Sequence, residues 1–194
     1  MTSTRRERER ADRHRLIIAM ARELAEAEGW DAVTTRRLAE RVEYSQPVLY
    51  SHFANKDAII QAVALDGFAE FAQELARARA AAPTRALRAV ITAYLDFAAD
   101  HPALYEAMFA LPLQVPFGDP ERTPAPLKAA FNEIVAVLSP EAPDESTDIL
   151  AELLWSTLHG VAELSRGGRL PTETHTARVH ALERLMHAWT GSIS

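Results

Sequence analysis

The chain has 194 residues, 48% of them hydrophobic, and no cysteine, which predicts a globular protein without disulfides, thiol nucleophiles or cysteine-based zinc sites. Its formal net charge of −6 is unevenly divided, because residues 1–56 hold 11 Lys or Arg against 9 Asp or Glu, and residues 57–194 hold 10 against 18. A basic end on an acidic body suits a protein that presents one face to phosphate.

A first amphipathic helix is predicted from about Arg8 to Glu28. Apolar residues recur there at steps of three and four, and Gly29 ends the pattern. The arginines before Leu16 have two interpretations: a solvated cluster of mixed charge, or a flexible arm that reaches the backbone or minor groove of DNA.

Residues 34–56 predict two short helices joined by a turn. Thr34 or Thr35 supplies a side-chain oxygen that caps the first helix, and Ser45 is the N-cap of the second. Pro47 falls in the first turn of the second helix, where its missing N–H costs nothing. A helix of about eight residues does not stand alone in water, so its neighbours must hold it. This pattern favours a helix-turn-helix whose second helix reads bases in the major groove of DNA.

The second of these helices turns Leu49 and Phe53 inward and its other side outward. Gln46, Val48 and Ser51 are placed to face base edges, since glutamine suits adenine and valine a thymine methyl group. The predicted DNA contacts are Thr34, Thr35, Arg36, Ser45, Gln46, Pro47, Val48, Tyr50, Ser51, His52 and Lys56.

The strings TTRRLAERV and SQPVLYSHFANKDAII resemble the N-terminal DNA-binding domain of TetR-family transcriptional regulators over roughly residues 12–62. The resemblance implies contacts to phosphates or groove edges for Thr35, Arg36, Tyr50, His52 and Lys56. One position departs from the family pattern, because Glu43 stands in the turn where the family usually has glycine. If that position needs a left-handed backbone, a residue with a Cβ costs roughly 1–2 kcal/mol there.

Six further helices are predicted, and no strand alternation is found. The first follows Asn55 and runs to about residue 81. The other five cover residues 84–100, 103–110, 127–138, 144 or 146 to 166, and 172–189. The segment from Leu111 to Pro126 holds five of the 11 prolines and is predicted to be a loop. The predicted architecture is all-α with about nine helices: a helix-turn-helix DNA-binding domain over 1–56 and an effector-binding and dimerisation domain over 57–194.

The last two long helices are more apolar than one buried face requires. One side of each is predicted to pack on the body and the other on a second copy of the chain. The resulting four-helix bundle would hold two reading helices against successive major grooves of a palindromic operator. The resemblance implies the same homodimer. The predicted interface residues are Leu150, Leu154, Leu158, Val161, Leu182, Leu185, Met186 and Trp189.

Aromatic and sulfur-containing side chains of the second domain are either ordinary core or the lining of a chamber for a small, mostly apolar effector. Trp155, His159 and Gly160 resemble the Trp-His-Gly pattern of one C-terminal subclass of TetR-like regulators. A closely approaching helix is expected to compensate for Gly160. The predicted lining residues are Phe68, Phe71, Tyr94, Phe97, Tyr105, Met108, Phe109, Phe117, Trp155 and His159.

No enzymatic function is predicted, because no G-x-S-x-G, G-x-G-x-x-G or phosphate loop occurs. No catalytic residue, cofactor or metal site is predicted either, since His180 and His187 share a helix face but lack a carboxylate at metal spacing. No stretch suits a membrane span or signal peptide, so a cytoplasmic protein without a membrane partner is expected. Two function classes remain. One is a repressor whose effector alters the spacing or freedom of two DNA-binding heads; the other is a helical protein-interaction module without specific DNA binding.

Overall fold

The computed structural model describes residues 2–113, 115–116, 119, 121–138 and 145–192. This part of the chain forms nine α-helices: α1 (Thr2–Glu28), α2 (Thr35–Arg41), α3 (Gln46–His52), α4 (Lys56–Ala81), α5 (Ala86–Asp100), α6 (Pro102–Phe109), α7 (Ala125–Leu138), α8 (Glu145–Arg166) and α9 (His175–Ser192). Short 3-10 turns occupy Trp30–Ala32, Pro83–Arg85 and Thr172–Thr174. The predicted all-α fold is confirmed. None of the described helices has the length and apolar character needed to cross a membrane.

The chain divides into two compact units. The N-terminal unit comprises Met1–Gly67 and His101–Val115, and the C-terminal unit comprises Phe68–Asp100 and Pro116–Ser194. Helix α4 therefore begins in one unit and ends in the other. In the N-terminal unit, α6 packs on α1, and nothing in the periodicity of the sequence indicates that contact. The assignment of residues 1–56 to DNA binding and of 57–194 to effector binding and dimerisation stays a prediction.

Helix α1 begins at Thr2, well before the predicted start at Arg8. The arginines before Leu16 are therefore helical, which contradicts their interpretation as a flexible arm. Most of them are exposed, in agreement with the other interpretation, a solvated cluster of mixed charge. Ion pairs along the helix account for the extension, since Arg5 pairs with Glu9 at 2.9 Å. Further pairs join Arg13 to Glu9 and Arg15 to Asp12. Pairs at this spacing stabilise a helix by about 0.2–0.5 kcal/mol each.

The core of the N-terminal unit forms on one face of α1. Ile17, Ala21 and Leu24 are each 0% exposed, and their spacing of four and three places them on that face. Leu38 from α2 and Leu49 from α3 are buried in the same unit. Outside the core, the guanidinium of Arg37 donates to both carboxylate oxygens of Glu28 at 2.9 and 2.7 Å, which ties α2 to α1.

The N-terminus of α6 is held by α1. The two carboxylate oxygens of Glu26 accept hydrogen bonds from the backbone N–H groups of Ala103 at 3.0 Å and Leu104 at 2.9 Å. The indole Nε1 of Trp30 donates to the carbonyl of Ala103 at 2.7 Å. A carboxylate is favourable here because helix N-termini have free N–H groups and a positive dipole end. These three bonds fix α6 to α1 and to the turn that follows it.

Helix α6 also lies close against α4 at Gly67. A Cβ at position 67 would lie 2.6 Å from Cδ1 of Leu104 and 2.9 Å from Sδ of Met108. Real Cβ contacts are longer than 3.0 Å, so any larger residue would force these side chains to shift. Glycine permits the close approach of the two helices within the N-terminal unit.

Helix α5 is the centre of the C-terminal unit and packs on α7, α8 and α9. Its buried face includes Val90, Ile91, Tyr94 and Phe97. Arg88, at the edge of this face, donates from Nε and Nη2 to one carboxylate oxygen of Glu183 on α9, at 2.8 and 2.6 Å.

The proline-rich loop ends earlier than predicted. Helix α7 begins at Ala125, so Pro126 lies in its first turn, where the missing proline N–H costs no hydrogen bond. Pro83 opens a 3-10 turn before α5, and Pro102 opens α6 for the same reason. Asp144, one predicted start of α8, lies outside the described residues.

Candidate DNA-reading site, effector region and dimer face

The turn between α2 and α3 has the left-handed backbone that glycine usually supplies. Glu43 has φ 56°. The N–H of Tyr44 donates to the carbonyl of Ala39 at 3.0 Å, and the N–H of Glu43 donates to the carbonyl of Glu40 at 3.4 Å. These two bonds form a Schellman cap, which normally places glycine at the left-handed position. The departure from the family pattern therefore leaves the turn intact, with strain at Glu43.

The caps of the two short helices differ from each other. Thr34 caps α2, because its Oγ1 accepts from the N–H of Arg37 at 3.2 Å. Ser45 is the N-cap of α3 in extended conformation but makes no side-chain capping bond. Pro47 lies in the first turn of α3, as predicted.

Helix α3 exposes most of the side chains predicted to read DNA. Gln46, Pro47 and Ser51 are exposed, and Tyr50 is 52% exposed. Val48 is half-buried. Leu49 is 1% exposed and Phe53, which follows α3, is 6% exposed, so both face inward as predicted.

Two hydrogen bonds restrict the side chains of this surface. Oγ of Ser51 donates to the carbonyl of Val48 at 2.7 Å, which leaves its oxygen lone pairs available. Oγ1 of Thr35 lies 3.5 Å from the hydroxyl of Tyr50, which joins α2 to α3. Among the outward-facing positions, Thr34, Arg36 and Ser45 are also exposed.

Two of the predicted cationic contacts have protein partners. Nζ of Lys56 donates to the carbonyl of Trp30 at 2.5 Å, so this lysine also ties α4 to the turn after α1. Nε of Arg36 donates to Glu40 at 3.0 Å. A lysine ammonium has three donors, so a phosphate can share Lys56 with the Trp30 carbonyl.

His52 lies at the end of α3 beside α1 and is half-buried. Its ring centroid is 6.0 Å from that of His14, and His14 stacks on Phe53 at 4.4 Å. Burial lowers the pKa of His52, and the nearby charges of His14, Arg10 and Arg13 lower it further. Both effects favour the neutral form of the imidazole.

The predicted effector residues are spread over both units. Tyr105, Met108 and Phe109 belong to the N-terminal unit, where the rings of Tyr105 and Phe109 are 4.6 Å apart. Those in the C-terminal unit are Phe68, Phe71, Tyr94, Phe97, Trp155 and His159. Phe117 lies outside the described residues.

Within the C-terminal unit, the aromatic residues form a tightly packed cluster. The ring of Phe71 is 5.0 Å from that of Tyr94 and 4.8 Å from that of Phe97, and all three are at most 2% exposed. The ring of Trp155 is edge-on to that of Phe131, at 6.3 Å. An assignment of these residues to an effector chamber stays a prediction.

An open cleft of about 650 Å³ lies elsewhere in the C-terminal unit, between the end of α4 and α5. Five alanines and three arginines are among its lining residues. Its lining residues are Glu74, Arg77, Ala78, Ala81, Ala82, Arg85, Arg88, Ala89, Thr92, Ala93 and Asp96. None of the predicted effector residues lines this cleft.

Most of the predicted dimer residues face the core of their own chain. Leu154 and Leu158 are 0% exposed, Met186 is 1% exposed, and Leu150 and Leu182 are 5% and 8% exposed. Side chains buried in this way are unavailable to a second copy. The sequence-based assignment is corrected here, because α8 turns this side toward α5 and α7, and α9 packs its own buried side on α5. Val161 is half-buried, and only Leu185 and Trp189 of the predicted set are exposed.

An exposed apolar stripe lies on the other side of α8. Ile149 is 60% exposed, and Leu153 and Leu164 are each 43% exposed. Gly160 lies on the same stripe, and no atom lies within 4 Å of the position that its Cβ would take. The expected close approach of a helix at Gly160 is therefore absent from the described part of the chain. On α9, Leu185 and Trp189 are 44% and 40% exposed and four residues apart.

Comparison with known proteins identifies the family. Residues 17–63 match the family described as bacterial regulatory proteins, tetR family, and residues 87–189 match the tetracyclin repressor-like C-terminal domain. The second match alone covers more than half of the chain. The chain belongs to the TetR family.

Three proteins show how far the similarity extends. An uncharacterised HTH-type transcriptional regulator of Mycobacterium tuberculosis, Rv0681, is 32% identical over 78% of this chain and 69% of its own length. The class C tetracycline repressor of Escherichia coli is 50% identical over 48 residues, 25% of this chain and 22% of that protein. A TetR variant from Acinetobacter baumannii, solved in complex with minocycline, shares the fold with a TM-score of 0.61 and 20% identity, covering 91% of this chain and 93% of that one.

Proteins of the TetR family are DNA-binding transcriptional regulators and not enzymes, in agreement with the sequence-based prediction. Membership in this family accounts for the helix-turn-helix formed by α2 and α3 and for the all-α fold. Membership in the Trp-His-Gly subclass stays a prediction.

Two residues beside the site are absent from the sequence-based set. His14 packs on Phe53, and its place three residues before Ile17 on the buried face of α1 is the signal that indicates it. Glu26 caps α6 across a large sequence separation, and no local pattern indicates that bond.

Proposed function

We propose that this TetR-family chain represses transcription as a homodimer bound to a palindromic operator in the cytoplasm, and that a small, mostly apolar effector releases it. The observation that carries this proposal is the reading helix α3. This helix is too short to be stable alone, and the neighbouring helices of the same chain hold it. Its residues Gln46, Tyr50 and Ser51 remain exposed. Gln46 and Ser51, with Val48 beside them, are placed to contact base edges.

Phosphate contacts would come from the edge of the same surface. We assign these to Thr35, Arg36, Tyr50, His52 and Lys56, with Thr34, Ser45 and Pro47 at the helix starts. Such contacts position the protein and carry no sequence information. They also make the affinity dependent on salt concentration.

The exposed apolar stripe supports a revised dimer face. Ile149, Leu153 and Leu164 flank Gly160, which has open space where another residue would have a side chain. A second copy can therefore approach α8 closely at Gly160. Leu185 and Trp189 of α9 supply the second helix of each protomer. A symmetric four-helix bundle of this kind sets the spacing of two reading helices.

Release by an effector would act through α4 and α6. Helix α4 runs from the DNA-binding helices into the C-terminal unit, and α6 is fixed to α1 through Glu26 and Trp30. A ligand that favours one position of these helices would change how freely the two DNA-binding domains of the dimer can move. Coupling of about 1–3 kcal/mol gives roughly 5–150-fold release. Minocycline, bound by the related Acinetobacter protein, illustrates a small-molecule ligand.

The test is selection of bound fragments from a random or genomic duplex pool by the purified protein at two salt concentrations. We expect recovery of one palindromic motif, with weaker binding at higher salt. Weak, sequence-blind binding even at low salt would contradict the proposal and favour a helical protein-interaction module instead.

A further inference from the structure

Three arginines in the first turns of α1 share the face that is buried further along the helix. Arg6, Arg10 and Arg13 are separated by four and three residues, which places them in one row. At about 100° per residue, the same row continues through Ile17 and Leu24, which are both 0% exposed. The buried side of α1 thus becomes basic where the helix extends beyond the core. We call Arg6, Arg10, Arg13 and His14 the basic stripe.

The basic stripe ends beside the reading helix. His14 stacks on Phe53 with a ring separation of 4.4 Å and an interplanar angle of 18°. The positive charges of Arg10 and Arg13 are near enough to His52 to contribute to the lowering of its pKa. The stripe is therefore continuous with the end of α3.

The positive charge of the stripe is only partly compensated by carboxylates. Arg5 pairs with Glu9, which lies at the edge of the stripe, and Arg15 pairs with Asp12 on the other side of α1. Arg13 shares Glu9 at a longer distance of 3.8 Å. Arg6 and Arg10 form no ion pair within the described part of the chain. The guanidinium groups of Arg6 and Arg10 are therefore suited to bind phosphates, which accept two parallel hydrogen bonds from one arginine.

We propose that the basic stripe binds the phosphate backbone of DNA next to the bases contacted by α3. This inference rests on the proposed function, because α3 must lie on DNA for the stripe to reach it. From Arg6 to Arg13 the helix rises about 10 Å, so the stripe is long enough to contact more than one phosphate. These contacts would add affinity without adding sequence preference.

Two triple variants of α1 test this proposal. In the stripe variant, Arg6, Arg10 and Arg13 are replaced by glutamine, which has a helix propensity close to that of arginine. In the control variant, Arg5, Arg8 and Arg15 are replaced by glutamine, which removes the same charge from the other side of the same helix. Circular dichroism establishes that both variants keep the helical fold. The dissociation constant of each protein is measured over a series of salt concentrations, on the selected operator duplex or, if no motif is recovered, on a random duplex.

We expect the stripe variant to lower the slope of log affinity against log salt by about 2–3 per protomer, since each phosphate contact contributes about 0.9. The control variant should lower it by less than about 1, and both should keep the wild-type sequence preference. Equal slopes for the two variants would overturn the proposal, even if the wild-type protein recovers a palindrome. If the wild-type protein binds without sequence preference and the stripe variant still loses more affinity than the control, the stripe is supported and the proposed function is not. Absence of any duplex binding would overturn both.

Discussion

Glu43 and Gly168 occupy the same position in two Schellman caps, with φ values of 56° and 66°. In the first cap, Tyr44 donates to the carbonyl of Ala39; in the second, Arg169 donates to the carbonyl of Leu164 at 2.8 Å. The same left-handed position is thus occupied by glycine at the end of α8 and by glutamate in the turn between α2 and α3. The left-handed conformation is less favourable for any residue with a Cβ.

Glu43→Gly should therefore stabilise the protein by about 1 kcal/mol, because it removes strain from the turn. Gly168→Ala should destabilise it by a similar amount. Urea unfolding of both variants measures the two changes. The sequence preference of Glu43→Gly for DNA should be that of the wild type, since the hydrogen bonds of the turn are unchanged. A destabilised Glu43→Gly variant would show that its side chain contributes more than the strain costs.

Leu153 and Leu154 are neighbours in α8 with opposite environments, 43% and 0% exposed. Leu153→Asp should give a folded monomer, because it places a charge at the proposed interface of two copies. Leu154→Asp should instead unfold the protein, since it buries a charge without a partner. Light scattering gives the molar mass and circular dichroism gives the helicity. A dimeric Leu153→Asp variant would contradict the proposed dimer face.

Glu26→Ala removes both side-chain bonds to the N-terminus of α6. We expect a loss of about 1–2 kcal/mol in the free energy of unfolding, the typical effect of losing a helix cap. Glu23→Ala is the control, because Glu23 lies on the same helix and makes only a distant surface pair with Arg41 at 3.6 Å. Equal stability of the two variants would mean that α6 is held by its other contacts alone.

His52 should make the free energy of unfolding depend on pH. Its pKa is lowered from 6.5, chiefly by burial and then by His14, Arg10 and Arg13. The unfolded chain therefore binds a proton more readily than the folded chain, so stability should fall as the pH drops below about 6.5. Urea unfolding at pH 5.5 and pH 8 should show a smaller pH effect for His52→Asn than for the wild type.

DNA binding should raise the pKa of His52, whereas folding lowers it. A nearby phosphate favours the protonated imidazole, so the pKa of His52 should rise when the operator binds. NMR titration of the His52 ring with and without operator duplex measures this change. An unchanged pKa would place His52 away from the phosphate backbone.

Gln46 and Lys56 should have separate effects on DNA binding. Gln46→Ala should relax preference at one base pair, with a discrimination loss of about 1–3 kcal/mol. Lys56→Ala should weaken binding to all sequences alike and reduce the salt slope by about 1. Lys128→Ala in α7 is a matched lysine control. The reverse pattern for Gln46 and Lys56 would overturn the assignment of base and phosphate contacts.

The local features of the fold were predictable because they depend on neighbouring residues. Thr34, Pro47 and the inward pair Leu49 and Phe53 each follow from a cap, a turn or a spacing of four. The family resemblance then identified the turn at Glu43 as the unusual position.

Contacts between distant segments were not predictable in this way. The apolar residues of α8 surround the helix, so periodicity alone could not show that Leu154 faces inward and Leu153 outward. The helices that pack on α8 determine which of its sides is buried. The attachment of α6 to Glu26 likewise joins positions 77 and 78 residues apart, beyond any local pattern.

The attachment of α6 to α1 has a consequence for the exchange of domains between regulators. A chimera that joins residues 1–56 to a foreign body would leave Glu26 and the indole of Trp30 without their partners on α6. The portable part of this protein is therefore discontinuous, and α6 should be transplanted together with the DNA-binding helices. Recombination between relatives at the end of the helix-turn-helix should succeed only where the recipient body carries a compatible α6.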